Sequence, residues 1–157
     1  MRTFATINPD GYYLLSTGGV SHFNQSEMTC RCGCGADMMD QRQIDTLEAI
    51  RVLVGEPIHV NSGVRCWKYH QHVYALAGKA VVPDSQHIPR DRAGTKVLTS
   101  GTVLGASRAT DITVAGRTPR ALRAVIEIHA HELGIVGLGA YPGFTHVDTR
   151  DGPPARW

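Results

Sequence analysis

A histidine and an aspartate near the end of the chain combine a metal ligand with an acid. His146 and Asp148 lie two residues apart in the β-prone segment from Phe144 to Thr149. Because side chains alternate between the two faces of a strand, both would project to the same side. This spacing is typical of a strand that offers an imidazole to a metal ion with a carboxylate beside it.

Two further segments supply the residues that a metal site would need. Ser85-Gln-His87 adds an imidazole, and Ala109-Thr-Asp111-Ile adds a carboxylate at the start of a strand-like run. His87, Asp111 and His146 together form a possible three-ligand set for zinc. Three protein ligands leave one position open for water, which is the arrangement of catalytic zinc sites. The chain has eight histidines, so spacing alone leaves other groupings open.

Several short motifs follow one another in an order that is similar to a known peptidase family. They are His22-Phe23 to Glu27, Cys30-Arg-Cys-Gly-Cys-Gly35, Asn61-Ser-Gly-Val-Arg-Cys66, Ser85-Gln-His87, Ala109-Thr-Asp111-Ile, Phe144-Thr-His-Val-Asp148 and the closing Arg156-Trp157. In this order the chain resembles the M15 peptidases, which are zinc D-Ala-D-Ala carboxypeptidases and related peptidoglycan peptidases, and especially their compact branch in phages and bacteria. The similarity covers roughly residues 21 to 157.

One departure from the family pattern is large. The family usually places its first two ligands within His-x-x-Gly-x-Ala-x-Asp, whereas here a long segment separates His87 from Asp111. We interpret residues 88 to about 104 as an inserted loop, rich in Gly, Ser, Thr and Arg as an exposed loop would be. The rival to Asp111 as a ligand is Asp91, which lacks a following strand pattern.

The elements that must position these residues can be predicted from caps and apolar spacing. Asp40 followed by Gln43 resembles a capping box and predicts a helix over about 41–54. A strand over 58–62 and a helix over 67–77 follow. Thr118 and Pro119 begin a helix whose apolar stripe continues to Gly134. Strands over 135–140 and 144–149 are joined by the turn sequence Tyr141-Pro-Gly143.

The predicted fold class is therefore α+β, a small antiparallel sheet packed with helices. The resemblance implies a fold like that of hedgehog and D-Ala-D-Ala peptidase domains. Residues 1–20 read as a β-prone or loosely docked lead-in, and residues 21–157 as a single domain that includes the inserted loop. A chain of 157 residues with 42% apolar residues suits one domain with a core of its own.

Composition excludes some partners. A formal charge of +2 with scattered Arg and Lys does not suggest nucleic acid, and we see no apolar run long enough for membrane insertion. The N-terminal residues lack the apolar core of a secretory signal. We expect a monomer that acts on peptidoglycan peptides in the periplasm or cell wall. A phage-encoded protein would reach the wall after release from the cytoplasm or as part of a virion.

The proton-transfer group has more than one candidate. Hydrolysis of a peptide bond needs a carboxylate that takes the water proton and passes it to the leaving amine. Asp148 is the catalytic candidate by strand geometry. Its alternative role is to orient a ligand histidine, a partner that such ligands nearly always have. Related peptidases often place this acid before the last histidine, where this chain has residues 141–143, and Glu132 is a weaker rival.

The candidate substrate-binding residues are Arg65, Ser85 and Tyr141. The resemblance places Arg65, in Ser-Gly-x-Arg, near the carboxylate of the substrate, and the fork of its guanidinium suits a carboxylate. Its alternative role is to brace the turn after the strand. Ser85 could donate to the substrate or cap the chain before His87. Tyr141 could stabilise a developing oxyanion or serve as a hairpin aromatic.

The four cysteines leave three alternatives open. Cys30, Cys32 and Cys34 alternate along one segment, and Cys66 follows Arg65. An even number allows disulfides in an oxidising compartment, including one that anchors Cys66 to the 30–34 loop. A structural zinc site and reduced structural thiols are the other possibilities.

The resemblance and the ligand set together predict a Zn²⁺ metallopeptidase that hydrolyses peptidoglycan stem peptides, of the D-Ala-D-Ala carboxypeptidase type. An endolysin that cuts L-Ala-D-Glu bonds or cross-links is the nearest alternative. A wall-binding or phage structural module without turnover is the second, and a cysteine-rich metal-binding interaction domain is the third.

Overall fold

A five-stranded sheet forms the centre of the molecule. In the computed structural model, which describes residues 3–91, 97–99 and 105–157, the strand order is β3-β4-β6-β5-β7. The strands are β3 His59–Ser62, β4 Ala109–Thr113, β5 Gly137–Ala140, β6 Thr145–Asp148 and β7 Ala155–Arg156. Neighbouring strands are antiparallel except β5 and β7, which are parallel. The predicted α+β class is confirmed, as is the hairpin of β5 and β6.

The structure has four helices among the described residues, and three of them begin at or within a residue of the predicted position. They are α1 Gln25–Met28, α2 Gln41–Val54, α3 Trp67–Leu76 and α4 Pro119–His129. The Asp40 side chain accepts from the backbone N–H of Arg42 at the start of α2, and Gly55 ends that helix with a φ of 69°. Thr118 accepts from the N–H of Ala121 at the start of α4.

Two local predictions about these helices were wrong. Gln43 does not complete a capping box with Asp40, because its buried side chain donates instead to Thr110 Oγ1 and Val147 O of the central strands. A capping box is formed instead by Asn24 and Glu27 at the start of α1. Helix α4 ends at His129 rather than near Gly134, since the chain turns over residues 130–134 before β5.

The lead-in is joined to the rest of the chain by hydrogen bonds. Strand β1, Tyr12–Leu14, pairs with β2, Val20–Asn24, in a separate two-stranded sheet. Tyr13 is buried in the core and its hydroxyl donates to Asp37 O. The N–H of Ala5 donates to Met39 O. The N-terminal segment therefore contacts the rest of the described residues through these hydrogen bonds and the buried ring of Tyr13.

The beginning of the interpreted insertion is buried rather than exposed. Ile88 and Arg90 are 0% and 6% exposed. The backbone of Arg90 exchanges two hydrogen bonds with Ala106, so the two ends of the segment lie side by side. Ile88 is apolar and next to a site residue, which explains why it packs inward. Residues 92–96 and 100–104 of the interpreted loop lie outside the described residues.

The core lies on one face of the five-stranded sheet. Val60, Ile112, Val147 and Leu138 point from successive strands into a single apolar cluster, with side chains of α2 and α4 packed against it. Because side chains alternate along a strand, the residues between them point to the opposite face. None of the described helices is long and apolar enough to cross a membrane.

Candidate metal centre

The register of the two central strands places a carboxylate beside an imidazole. Asp111 of β4 is directly opposite His146 of β6 in the antiparallel ladder. Directly opposed residues project to the same face with closely spaced Cβ atoms. The His146 Nδ1 lies 3.0 Å from Asp111 Oδ1. Both residues are on the sheet face opposite the apolar core, and both are buried.

His87 reaches the same point from outside the sheet. It lies within a turn in which the N–H of Ile88 donates to Ser85 O. Its Nδ1 lies 2.7 Å from the carbonyl oxygen of Gly63. A carbonyl can only accept, so Nδ1 carries the proton and Nε2 keeps its lone pair. That Nε2 lies 3.1 Å from Asp111 Oδ1 and 3.3 Å from His146 Nδ1.

The three donor atoms fit a tetrahedral zinc ion. One ligand atom from each of His87, Asp111 and His146 lies within 4.8 Å of the others. Zinc holds nitrogen and oxygen ligands at about 2.0–2.1 Å, which places ligand atoms of a tetrahedron about 3.3 Å apart. The three contacts of 3.0, 3.1 and 3.3 Å match that spacing. The carboxylate in this cluster belongs to Asp111 and not to Asp91.

The cluster perturbs the protonation of its members in opposite directions. Burial and the Arg65 cation lower the pKa of His87 to about 4. Burial alone would raise the pKa of Asp111, but His87 and His146 hold it well below its usual range. Burial opposes protonation of His146 too, yet hydrogen bonds to Asp111 and Asp148 raise its pKa. The site therefore has a neutral His87, an anionic Asp111 and a preference for positive charge at His146.

Asp148 lies on the far side of the His146 ring from the cluster. Its Oδ2 accepts from His146 Nε2 at 2.8 Å, and this leaves Nδ1 for the cluster. Arg150 donates to Asp148 through Nε at 2.8 Å and Nη2 at 2.6 Å, and the N–H of Gly137 donates to Oδ1. The carboxylate is fully buried. Of the two roles considered for Asp148, this contact with the outer nitrogen of the ring favours the orientation of His146.

Two glycines of β5 make room for this arrangement. A Cβ added at Gly137 would lie 2.1 Å from Asp148 Oδ2. A Cβ at Gly139 would lie 2.3 Å from Nε1 of the Trp157 indole, whose ring centroid is 5.2 Å from that of His146. The absence of a side chain at the two glycines thus lets the Asp148 carboxylate and the Trp157 indole pack closely against β5 beside His146. Sequence reasoning missed Gly63, Gly137 and Arg150, although the alternating Gly-Leu-Gly pattern of a strand indicated a close approach.

Arg65 lies at the edge of the cluster. Its Nη2 donates to Asp111 Oδ2 at 2.6 Å, and its Nε donates to Ser62 Oγ at 2.9 Å. The side chain is 13% exposed. The guanidinium therefore holds the second oxygen of Asp111 and fixes the direction of the first oxygen toward the two imidazoles.

The remaining predicted residues lie at different distances from the cluster. Ser85 Oγ accepts from the backbone N–H of His87, which is the capping alternative. The Tyr141 hydroxyl accepts from Trp157 Nε1 at 2.7 Å, and its ring stacks on Phe144. Glu132 is an exposed partner of His129 beyond the end of α4 and does not join the cluster.

Comparison with known proteins agrees with this geometry. Residues 21–148 match a family model described as Peptidase M15. The chain belongs to the M15 peptidases. The match covers most of the chain and includes every residue of the three-ligand cluster. Searches among curated proteins and solved structures gave no significant match. The M15 peptidases are metallopeptidases, and His87, Asp111 and His146 form a possible metal site in this member.

Gly137→Ala tests the support of His146. The added methyl must displace the Asp148 carboxylate, so the hydrogen bond that orients His146 is lost. We expect a metal affinity at this centre that is roughly 10- to 100-fold lower, as for other lost partners of ligand histidines. Competition with a chromophoric chelator measures it. Gly143→Ala is the matched control, since a Cβ there meets nothing within 4 Å. Equal affinity in the two variants would contradict this role for Gly137.

Asp148→Asn tests the buried ion pair through the pH dependence of stability. Burial raises the pKa of Asp148, but Arg150 and His146 outweigh it and hold the pKa well below its usual range. A lowered pKa gives stability that is present above the ordinary value of about 3.9 and is lost as the pH falls. We expect Asp148→Asn to lower the free energy of unfolding at pH 7 by about 3 kcal/mol.

This difference should shrink below about pH 4, where the wild-type carboxylate begins to lose its advantage. Urea unfolding at several pH values between 7 and 3 measures it. Asp10→Asn, at an exposed turn residue, is the control and should change little. A difference between wild type and Asp148→Asn that is constant over this range would contradict the assignment.

Proposed function

We propose that this M15 peptidase is a zinc enzyme that hydrolyses peptide bonds in peptidoglycan stem peptides. The observation that carries the proposal is the convergence of His87 Nε2, His146 Nδ1 and an Asp111 oxygen in a buried cluster. Two imidazoles and one carboxylate are a common donor set of catalytic zinc, with one position left for water or substrate. The family supports peptidase activity.

The requirements of hydrolysis define what the site must provide. The peptide carbonyl must be polarised, water must be made nucleophilic, and the leaving amine must receive a proton. Bound zinc would supply Lewis acidity, which polarises a carbonyl and lowers the pKa of water to about 7. The protein side chains hold the donors in place, position the substrate and handle protons.

Asp148 is assigned to orientation in this proposal. Its carboxylate already accepts from His146, Arg150 and the N–H of Gly137, and it lies behind the His146 ring. A carboxylate that supports a ligand histidine fixes the ring and raises the basicity of the ligating nitrogen. The chain's most buried acid near the site is therefore a positioning residue rather than the base.

Arg65 is the proposed contact for a terminal carboxylate of the substrate. Its Nε and Nη2 are used by Ser62 and Asp111, so the Nη1 edge is the part of the guanidinium that can meet a ligand. A cation next to the cluster would place the last residue of a peptide beside the reacting bond. This position favours a carboxypeptidase that removes a terminal D-Ala.

Tyr141 is the proposed donor to the developing oxyanion. Its oxygen accepts from Trp157 Nε1, so its own O–H hydrogen is directed elsewhere. Trp157 also packs on His146, so the indole links the phenol to a residue of the cluster. In this proposal the O–H of Tyr141 donates to the negative charge that develops on a carbonyl bound beside the ligands. Ser85, which caps the turn before His87, keeps a structural role.

The first test combines metal analysis with mass spectrometry of purified muropeptides. We expect wild-type protein to release D-Ala, and His87→Ala and Asp111→Ala to lose both the metal at this centre and the release of product. His72→Ala, at an exposed position of α3, is the control and should retain both. Turnover by either ligand variant would show that the ligand assignment is wrong.

The same experiment separates the alternatives. Cleavage between L-Ala and D-Glu, or within a cross-link, would identify an endopeptidase. Binding to sacculi without any new amino groups would identify a wall-binding module.

Arg65→Lys tests the contact with the terminal carboxylate. Lysine keeps the charge and loses the planar fork. With a stem peptide ending in a free D-Ala carboxylate, we expect kcat/KM to fall roughly 10- to 100-fold, the cost of a charge-assisted hydrogen bond, mainly through KM. With the C-terminal amide of the same peptide, wild type and variant should be similarly slow. Equal cleavage of the acid and the amide by wild type would favour the endopeptidase.

A further inference from the structure

Four thiols converge at a second place in the molecule, outside the cluster of His87, Asp111 and His146. One sulfur from each of Cys30, Cys32, Cys34 and Cys66 lies within 4.8 Å of the others. Cys30 Sγ and Cys32 Sγ are 3.5 Å apart, and Cys32 Sγ and Cys66 Sγ are 3.6 Å apart. Three of the residues come from one short loop, and the fourth comes from the start of α3.

The loop is folded so that alternate residues turn their sulfurs to one point. An extended chain would carry such residues steadily apart, by about 6.6 Å for every two residues. Gly33 and Gly35 both have a φ of 83°, a left-handed conformation that glycine adopts without a steric cost. Gly33 lies between Cys32 and Cys34, and Gly35 follows Cys34 where the loop closes, since the N–H of Cys30 donates to Ala36 O. Glycine at these two positions therefore lets the short loop bring its cysteines to one point.

Backbone N–H groups also face the sulfurs. The N–H of Cys66 donates to Cys30 Sγ at 3.4 Å, and the N–H of Tyr69 donates to Cys66 Sγ at 3.4 Å. The N–H of Ala36 donates to Cys34 Sγ at 3.5 Å. Donors of this kind stabilise negative charge on sulfur, as thiolate ligands require.

The spacing of the sulfurs matches a metal ion better than cysteine pairs. Bonded sulfurs lie about 2.05 Å apart. Four sulfurs around a tetrahedral zinc ion at about 2.3 Å lie about 3.8 Å from one another. The observed 3.5 and 3.6 Å are close to the second value. The sulfur of Cys32 is also about equally near to those of Cys30 and Cys66. Such spacing is expected when all the thiols bind one ion, and not when they form two disulfide pairs.

We propose that Cys30, Cys32, Cys34 and Cys66 bind one zinc ion in a closed, four-thiolate structural site. Four protein ligands leave no position for a substrate, so the site stabilises structure and does not take part in catalysis. Each thiol releases its proton as it binds, and the resulting centre carries two negative charges. This site does not depend on the proposed peptidase activity.

The position of the thiol cluster connects it to the candidate active centre. Cys66 directly follows Arg65, whose guanidinium holds Asp111. Gly63, three residues before Cys66, presents the carbonyl that fixes the His87 ring. The N–H of Val64 donates to Met28 O, just before the cysteine loop. A metal ion that joins the 30–34 loop to Cys66 would therefore fix the segment that orients both Arg65 and His87.

Cobalt substitution of the full chain tests the proposal. Protein prepared without metal and then titrated with Co²⁺ should develop intense sulfur-to-cobalt charge-transfer absorption in the near ultraviolet and strong tetrahedral bands in the visible. Zinc should then displace cobalt and bleach both. Wild-type protein that gives no charge-transfer absorption would overturn the proposal, whatever its peptidase activity.

Variants assign the spectrum to the cysteines. His87→Ala and Asp111→Ala should keep the charge-transfer absorption, because they affect only the other cluster. Cys34→Ser, at an exposed ligand, should lose at least about tenfold in zinc affinity. Loss of the absorption in His87→Ala with retention in Cys34→Ser would contradict the assignment.

Thiol counting gives an answer that does not depend on the folding of a variant. Wild-type protein purified without reductant, then denatured with a chelator, should yield four reactive thiols together with chelatable zinc. Two disulfides, seen as the absence of reactive thiols and a mass lower by four hydrogens, would overturn the proposal. Iron in place of zinc in the protein as isolated would also overturn it.

Discussion

The pairing of Asp111 with His146 across two central strands is the contact on which the rest of the site depends. It is set by the backbone ladder of β4 and β6, in which the two residues stand directly opposite each other. A shift of the register by one residue would turn one of them into the apolar core. The core residues Ile112 and Val147 oppose such a shift, because they would then face the site. The apolar face of the sheet thus determines the geometry of the polar face.

The other contacts around the pair restrict the remaining freedom of the donors. Gly63 O fixes the proton of His87 on Nδ1, and Asp148 takes the outer nitrogen of His146. Arg65 occupies the second oxygen of Asp111. Each donor is therefore aimed inward by a partner outside the cluster. Two imidazoles and a carboxylate are buried together at an energetic cost. Attraction between the Asp111 carboxylate and His146 offsets part of that cost, and the same attraction raises the pKa of His146.

Sequence patterns predicted the parts of this arrangement that depend on local spacing. The caps at Asp40 and Thr118 located two helices, and alternation along β6 placed His146 and Asp148 on one face. The ligand set came from a family resemblance together with residue type. Its convergence depends on a segment between His87 and Asp111 whose path could not be derived from composition. Burial of Ile88 and Arg90 shows that polar, glycine-rich composition was a poor guide there.

Contacts between distant residues could not be predicted. The spacing of Gln43 from Asp40 indicates a capping box, but tertiary contacts with Thr110 and Val147 determine the hydrogen bonds of Gln43. The role of Asp148 depends on Arg150 and Gly137, which meet it only when the strand pairs and the following turn have formed. The even number of cysteines does not assign their partners. The path of the loop, with left-handed backbone at Gly33 and Gly35, determines which sulfurs meet.

The most direct test of the central claim is a crystal structure of zinc-loaded protein, with data collected on both sides of the zinc absorption edge. The account predicts an anomalous difference peak between Nε2 of His87, Nδ1 of His146 and a carboxylate oxygen of Asp111. It would be contradicted if no peak appeared there, or if either imidazole turned its ligating nitrogen away from the carboxylate in the presence of zinc.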